Sequence, residues 1–384
     1  MIKYLEVVVP PCADREEFKN RDLPRKNMKV FETVKDTVEM KTTKRIFALL
    51  LATVMIFALT ACGSSDSGDG GDSGEKTVTL HMGGGLTSSS PQYDQWVAFA
   101  DAVKERSNGT LNISLDLSGA LGSDREVIEG VMNGSIEMMH MADGSIATVI
   151  TETGYVALPF LFPTREAAEE YYFNGELGRI YKEILAENNI TVLGNLIEGD
   201  PRWISNSIRE ITKPEDLAGL KIRVMDNPMW ISYFTKLGCN PVAMSVSEVA
   251  AALQQKVIDG QDNGPMNTYF YGFYEFQNYM TKTNHGYAAN LISINTDVFN
   301  SLSENQQKVL TECADEFSTK AYDAQKAAVE DIIQTMEEAG MKTIECTPEL
   351  EEFLRSAASE IWNDESLTST YNAEAMDYIR SNLA

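Results

Sequence analysis

Side chains capable of catalytic chemistry are sparse in this chain of 384 residues, which contains three histidines and five cysteines. The separations of His81, His140 and His285 do not give the H-E-x-x-H zinc motif. The sequence also lacks the G-x-S-x-G nucleophile elbow and the phosphate-binding P-loop. The cysteines form no C-x-x-C pair, and the last three are expected to be buried apolar side chains rather than a disulfide framework. We therefore predict that the protein is not an enzyme and binds neither a cofactor nor a metal ion.

The charge of the chain limits the partners that it could bind. Its formal net charge is −25, and residues 1–61 carry 11 basic and 8 acidic side chains, so the remainder has a net charge of −28. A body this acidic repels the phosphate backbone of nucleic acids, and we expect no nucleic-acid partner. If the protein binds a small anion, a few specific arginines have to overcome this field, because a guanidinium pairs with a carboxylate through two hydrogen bonds.

An export signal precedes the part of the chain that can fold into domains. Basic residues stand just before the apolar run 46–59, which is shorter than the ~20 residues of a membrane-spanning helix. The run ends in the string LTAC, which resembles a bacterial lipobox and predicts cleavage before Cys62 with attachment of lipid to its sulfur. We therefore assign residues 40–61 to a lipoprotein signal peptide and residues 1–39 to a non-native or mis-assigned start.

A flexible tether is predicted at residues 62–76, after the signal peptide. This segment is rich in glycine, serine and aspartate and has almost nothing to bury in a core. Its aspartates lack the D-x-D-x-D-G spacing of a calcium-binding loop, which favours the tether over a metal site.

Strand and helix patterns alternate along the rest of the chain, which is long enough for two domains. Residues 77–82 and 111–117 alternate polar and apolar side chains like strands, and a helical pattern separates them. A polar, alanine-rich helical pattern runs from residue 303 to about 338, and the aromatic segment 266–279 is also predicted to be helical. The alternation predicts an α/β fold, in which ligands bind at the carboxyl ends of strands and in clefts between domains.

Several motifs in this part of the chain resemble those of the DctP-type solute-binding proteins of TRAP (tripartite ATP-independent periplasmic) transporters. The string GLKIRV at 219–224 follows KPEDLA and precedes SEVAAALQQKVIDGQDN at 247–263. The string GALGSDREVIEGVMNGSIEMM at 119–139 and the tripeptide TNH at 283–285 agree with the same family. The resemblance extends from the first predicted strand to the long helical pattern.

The resemblance implies a fold of the periplasmic-binding-protein type, with two α/β lobes, a ligand cleft between them and a long helix that braces both. Lobe I would comprise residues 77–199 and about 288–327, and lobe II residues 200–287 and about 328–384. The family implies capture of a small organic acid and its delivery to the permease subunits of a TRAP secondary transporter. The protein would be exported, monomeric and held only by its lipid anchor, on the outer face of the cytoplasmic membrane or in the periplasm.

Three residues match the positions that the family uses to hold a ligand carboxylate. Arg223, in the GLKIRV strand, matches the arginine that grips the carboxylate through two hydrogen bonds; the alternative is a surface charge or an interdomain ion pair. Arg202 stands near a second family arginine, although the local string GDPR departs from the commoner family form. Asn263 matches the asparagine of the family's DGQEN string, and its alternative role is that of a turn residue.

Five further positions are weaker candidates for the ligand pocket. Trp230 could pack against the carbon skeleton of the ligand, although a tryptophan at this point of a helix is at least as often part of the core. Asp226 would favour a ligand hydroxyl or amine over a second carboxylate. Asp124, Asp143 and Val246 match family pocket positions.

Three other functions remain compatible with the sequence. A binding lipoprotein of an ABC transporter would have the same leader and fold class, with different motifs. A ligand sensor that serves a signalling receptor would capture its ligand in the same way. A secreted enzyme would carry a pair of residues with strongly shifted pKa values in the cleft.

Overall fold

Strands and helices alternate through most of the chain in the computed structural model, which describes residues 75–86, 93–197 and 200–383. The predicted start, signal peptide and lipidation site, and most of the predicted tether, lie outside the described residues. The strands are β1 (Val78–Gly84), β2 (Leu111–Asp116), β3 (Met138–Ala142), β4 (Ile190–Ile197), β5 (Trp203–Asn206), β6 (Lys221–Val224), β7 (Asn240–Ala243), β8 (Gly260–Asn263), β9 (Tyr279–Lys282), β10 (Ala289–Asn295) and β11 (Lys342–Glu345).

Thirteen α-helices lie between or after these strands within the described ranges. They are α1 (Tyr93–Arg106), α2 (Asp124–Asn133), α3 (Asp143–Ile146), α4 (Arg165–Ala168), α5 (Glu176–Glu187), α6 (Pro228–Lys236), α7 (Val246–Gln254), α8 (Pro265–Phe270), α9 (Thr296–Ser301), α10 (Glu304–Glu338), α11 (Pro348–Trp362), α12 (Glu365–Thr368) and α13 (Ala373–Asn382). A π-helical turn at Glu169–Phe173 continues α4. None of the helices in the described part is both long and apolar enough to cross a membrane.

Two separate sheets organise the molecule, and both lie within one compact unit, Ser73–Ala384. The first has the strand order β2-β1-β3-β10-β4, with β1 parallel to β2 and β3, and β10 antiparallel to β3 and β4. The second has the order β11-β9-β5-β8-β6-β7, in which β5 is antiparallel to β8 and β9. The two sheets with their helices form lobe I and lobe II, so the prediction of a two-lobed α/β fold is confirmed.

The C-terminal helix departs from a simple division of the chain between the lobes. Glu374 in α13 pairs with Arg179 in α5 of lobe I at 2.6 Å, although residues beyond 328 were assigned to lobe II. The backbone N–H of Asn372 also donates to the carbonyl of Glu152, 3.0 Å away in lobe I. The lobe boundaries given by the sequence stay a prediction.

The long helix α10 contacts the cores of both lobes. Its first half buries side chains such as Leu310 and Ala314 in the core of lobe I, and its last turns bury Ile332 and Met336 in a core of lobe II. No side chain between Ala321 and Ile332 is fully buried. The prediction of a long bracing helix is therefore confirmed.

The close packing of α10 on strand β4 depends on Gly194. A Cβ atom at this position would lie 2.2 Å from Oγ of Ser318 and 3.0 Å from the carbonyl oxygen of Ala314, both in α10. Any larger side chain would push the helix away from the sheet, because such contacts are far inside van der Waals distance.

The aromatic segment 266–279 is not one helix, contrary to the sequence-based prediction. Helix α8 ends at Phe270, Gly272 adopts a left-handed conformation with φ of +70°, and strand β9 begins at Tyr279. The left-handed residue ends the helix, because such a conformation cannot continue it. Pairing with β5 and β11 then makes the chain from Tyr279 onward a strand.

Strand β8 was missed because its sequence, GQDN, has low intrinsic β-propensity. All four residues are nevertheless buried. Polar contacts satisfy the strand: the Gln261 side chain donates to Oγ of Ser205 at 2.7 Å and to Oγ1 of Thr268 at 3.1 Å. The strand places its last residue, Asn263, next to the space between the lobes.

Candidate functional site

A polar cavity of about 40 Å³ lies between the two lobes. That volume admits only a few water molecules, so the cleft is nearly closed in this structure. Lobe I contributes Gly85, Asp124, His140, Met141, Ala142, Ser145 and Asn290 to its lining. Lobe II contributes Arg202, Arg223, Met225, Val246, Asn263, Asn267 and Tyr271.

Arg223 reaches the cavity from strand β6 and is only 2% exposed. Its Nε and Nη2 donate to the carbonyl oxygen of Met244 at 3.0 and 2.8 Å, which fixes the plane of the guanidinium. Among the described residues, neither a hydrogen bond nor an ion pair engages its Nη1. Burial lowers the pKa of Arg223, and the nearby charge of Asp262 only partly opposes this effect. The side chain is therefore a buried cation that lacks a directly bound counterion among the described side chains.

Arg202 also lines the cavity, but its charge is neutralised within the protein. Its Nε and Nη2 both lie 3.1 Å from Oδ2 of Asp262, and Nη2 donates to the carbonyl of the same residue. Burial favours a raised pKa for Asp262, but the charge of Arg202 and the nearby imidazole of His285, whose Nε2 lies 3.6 Å from Oδ2, outweigh it and hold the pKa below its usual range. The guanidinium lies 5.5 Å from the ring centroid of Trp230, within range of a cation–π contact.

Asn263, Val246 and Asp124 also line the cavity. The Asn263 amide donates to Oε1 of Gln261 at 2.6 Å, which orients it. The Asp124 carboxylate joins the two lobes: Oδ2 accepts from Oγ of Ser145 in lobe I at 3.0 Å, and Oδ1 accepts from Oγ of Ser245 in lobe II at 2.9 Å.

Three candidates from the sequence do not line the cavity. Asp226 is exposed, because it lies beyond the end of β6 on the side that faces solvent. Trp230 is 3% exposed and packs in the core of lobe II, where its ring contacts Phe234 and the guanidinium of Arg202. Asp143 accepts from the backbone N–H groups of Gly144 at 2.7 Å and Ala289 at 3.0 Å, so it fastens β3 to the start of β10. The structure therefore gives no support to ligand contacts by these three side chains.

Five polar cavity residues were missed by the sequence analysis: His140, Ser145, Asn267, Tyr271 and Asn290. His140 is 7% exposed and packs its ring on Trp96, with centroids 4.4 Å apart. It is the one polar residue in the apolar string MMHMA of β3, which is a signal that sequence reasoning could have used. Asn267 lies in the first turn of α8, four residues after Asn263 at the end of β8, so a second amide close to the DGQDN string was a further signal.

Comparison with known proteins gives a consistent result. The model for the family described as DctP, bacterial extracellular solute-binding protein, family 7, matches residues 82–367. The 2,3-diketo-L-gulonate-binding periplasmic protein YiaO of Escherichia coli is 31% identical over 271 residues, which cover 69% of this chain and 80% of that protein. The C4-dicarboxylate-binding protein DctB of Bacillus subtilis is 28% identical over 218 residues, or 57% of this chain and 62% of that one.

Solved structures show the same architecture. The sugar acid binding protein DctPAm of Advenella mimigardefordensis, in complex with galactonate, superposes with a TM-score of 0.72 and 30% sequence identity. The match covers 80% of this chain and 98% of the other. A TRAP periplasmic solute-binding protein of Ochrobactrum anthropi has a TM-score of 0.67 and 29% identity, over 80% and 95% of the two chains.

Proposed function

Because the chain belongs to the DctP family of bacterial extracellular solute-binding proteins, we propose that it captures a small organic acid in the cleft between its lobes and delivers it to a TRAP transporter. Arg223 binds the ligand carboxylate in this proposal, while Asn263 and the other polar side chains of the cavity bind the rest of the molecule. The relatives named for diketogulonate, galactonate and C4-dicarboxylates support a carboxylate as the common feature of the ligand.

The state of Arg223 is the observation that carries the proposal. A buried cation without a directly bound counterion is costly, since desolvation of an ion is only recovered through pairing and hydrogen bonding. Among the described residues, Nη1 of the guanidinium has neither a hydrogen-bond nor an ion-pair partner, and the Met244 carbonyl holds the group in plane. An incoming carboxylate would provide both the missing charge and the missing acceptor. Arg202 cannot take this role as readily, because Asp262 already neutralises it.

Calorimetric titration of a panel of organic acids tests the role of Arg223. Truncating one member of a buried charge pair costs about 2–5 kcal/mol, so Arg223→Ala is expected to weaken binding roughly 30- to 5,000-fold. Arg209→Ala is the matched control, because Arg209 is an arginine of lobe II that binds backbone carbonyls outside the cavity. Binding by Arg223→Ala within about threefold of wild type would refute the carboxylate contact.

The partners of the protein follow from the same proposal. The permease subunits of a TRAP transporter would accept the ligand, and the binding protein itself would not change it chemically. One ligand would bind per chain, and the protein would act as a monomer. Incubation of the bound acid with the protein should return it unaltered, and a new product in the mass spectrum would contradict this part of the proposal.

Lipid anchoring at Cys62 is a further part of the proposal and rests on the sequence of residues 41–62. Cleavage before Cys62 would leave a mature chain of 323 residues, which is the full 384 less the 61 that precede the cysteine. Cys62→Ser should release the protein from the membrane fraction. An unmodified N-terminus elsewhere in the chain, found by mass spectrometry, would exclude the lipobox assignment.

A further inference from the structure

His140 lines the cavity from lobe I, and neither of its ring nitrogens is hydrogen-bonded to another described residue. The residue is more than nine-tenths buried, so bulk water does not satisfy these nitrogens freely. The contact with Trp96 holds the ring against the wall of lobe I. A buried polar group is normally hydrogen-bonded, and an unpartnered one beside a ligand cavity points to a partner on the ligand.

The chemistry of His140 defines what that partner can be. Burial lowers its pKa to about 4, so the imidazole is neutral at physiological pH. A neutral imidazole has one N–H donor and one nitrogen acceptor, which suits a hydroxyl group because a hydroxyl can both donate and accept. A carboxylate beside His140 would bind less favourably, because it can only accept a hydrogen bond and the neutral ring offers it no positive charge.

Asp124 adds a second restriction from the same lobe. Its two carboxylate oxygens are turned toward serine hydroxyls on either side of the cleft. Within the described residues it forms no ion pair, and the two arginines of the cavity lie in lobe II. A second ligand carboxylate placed on this side would meet a like charge in a closed site, where charges are weakly screened.

We propose that His140 and Asp124 are specificity-determining residues, which select a hydroxylated monocarboxylate over dicarboxylates and over acids without hydroxyls. This inference rests on the proposed function, because it takes Arg223 as the site of the single carboxylate. His140 then hydrogen-bonds a hydroxyl on the carbon chain. Asp124 accepts from another hydroxyl or simply excludes a second anionic group.

Three acids with the same chain length provide the probes. Galactonate is a hydroxylated monocarboxylate, galactarate carries a second carboxylate in place of the terminal alcohol, and hexanoate lacks the hydroxyls. Calorimetry on the wild-type protein at pH 7.5 is expected to show galactonate bound at least about 10-fold more tightly than either of the others. Hexanoate would lose the hydrogen bonds of the hydroxyls, and the second carboxylate of galactarate would be repelled by Asp124.

Substitutions in lobe I assign this preference to the two residues. His140→Phe preserves an aromatic ring against Trp96 and should lower galactonate affinity about 10-fold, because the ligand hydroxyl loses its partner. The better of His140→Asn and His140→Gln should recover most of that affinity, which a purely structural role of the ring would not predict. Asp124→Asn keeps an acceptor for a serine but removes the charge, and should raise galactarate affinity about 10-fold.

The outcomes separate this inference from the proposed function. If wild-type protein binds galactarate or hexanoate as tightly as galactonate, or binds no galactonate, the selection of hydroxylated monocarboxylates is wrong. Full galactonate affinity in a folded His140→Phe protein, checked by its thermal midpoint, would also overturn it. In each case Arg223→Ala still decides the carboxylate contact: loss of binding to whichever acid is held would leave the proposed function intact, and its retention would remove both.

Discussion

The two walls of the cleft differ in charge and therefore in what they can do for a ligand. Lobe II presents both arginines of the cavity, each fixed by hydrogen bonds within its own lobe. Lobe I presents a neutral imidazole, a carboxylate and small polar groups. Under the proposed function, the difference would separate attraction from selection: lobe II would supply the charge that an organic acid needs, and lobe I would distinguish between acids.

A second difference, within lobe II, separates the two arginines themselves. Arg202 is neutralised by Asp262, whereas Arg223 lacks such a carboxylate among the described residues. The first is thus part of the fixed framework, and the second is available to a ligand. The expected effects of substitution follow from this distinction, and the four below run from the largest to the smallest.

Removal of the Asp262 carboxylate should have the largest effect on folding. Asp262→Ala leaves Arg202 buried without its counterion, which typically costs about 3–5 kcal/mol of unfolding free energy. Arg223→Ala should cost far less, since it breaks no ion pair of the described protein. Urea denaturation of both variants measures the contrast, and equal losses of stability would remove the distinction between the two arginines.

Acid should destabilise the protein through His140. Its pKa falls from 6.5 to about 4 on folding, so the unfolded chain binds the proton more readily. Stability is then intact above pH 6.5 and decreases as the pH falls toward 4, by about 3 kcal/mol for a shift of this size. His140→Phe should flatten this part of the curve of unfolding free energy against pH.

Some acid sensitivity should remain in that variant, because burial also lowers the pKa of His285. The prediction therefore concerns the slope of unfolding free energy against pH, which should be smaller in His140→Phe than in wild type but not zero. Identical slopes for wild type and His140→Phe would show that His140 titrates normally in the folded protein.

Exchange of the guanidinium for an ammonium tests the geometry of the anchor. Arg223→Lys keeps the positive charge but lacks the planar guanidinium, which can bind the Met244 carbonyl and a ligand carboxylate at the same time. Affinity for the bound acid should therefore fall about 30-fold, or roughly 2 kcal/mol. Titration calorimetry measures the change, with Arg209→Lys as the control. Wild-type affinity in Arg223→Lys would mean that charge alone suffices.

Loss of the hydroxyl at Ser245 should weaken closure of the cleft rather than contact with the ligand. The Ser245→Ala substitution removes one hydrogen bond between the lobes, worth about 1 kcal/mol, and should increase the ligand dissociation rate about fivefold. Association should hardly change, because the open cleft is unaffected. Ser247→Ala is the control, because the Ser247 hydroxyl makes no hydrogen bond to lobe I within the described residues and donates only to Oγ of Ser245.

The order of elements and the long helix could be read from the sequence, because both depend on periodic patterns and on local caps. A serine followed three residues later by a glutamate is such a local signal, and Ser245 with Glu248 forms the capping box at the start of α7. Strands β8 and β9 could not be read in the same way. One is polar and the other is embedded in an aromatic segment, and each is a strand only because neighbouring strands pair with it.

The candidate site shows the same limit. Arg223 and Asn263 were found through motifs, and the structure brings both to the cavity. Asp226 is a near neighbour of Arg223 in sequence but is exposed, since proximity along a chain does not fix the direction of a side chain after a strand ends. His140 was overlooked because its position beside the cleft depends on how lobe I meets lobe II.

The construction of helix α10 has a mechanical consequence. Gly194 lets the helix lie directly on the sheet of lobe I, while Ile332 and Met336 fasten its far end in lobe II. We therefore expect opening of the cleft to bend α10 between its contacts in lobe I and its contacts in lobe II. The compliant part of the helix is the span from residue 322 to 331, where no side chain is fully buried. Bending of this span would store elastic strain while the lobes are apart, and closure of the lobes would release that strain.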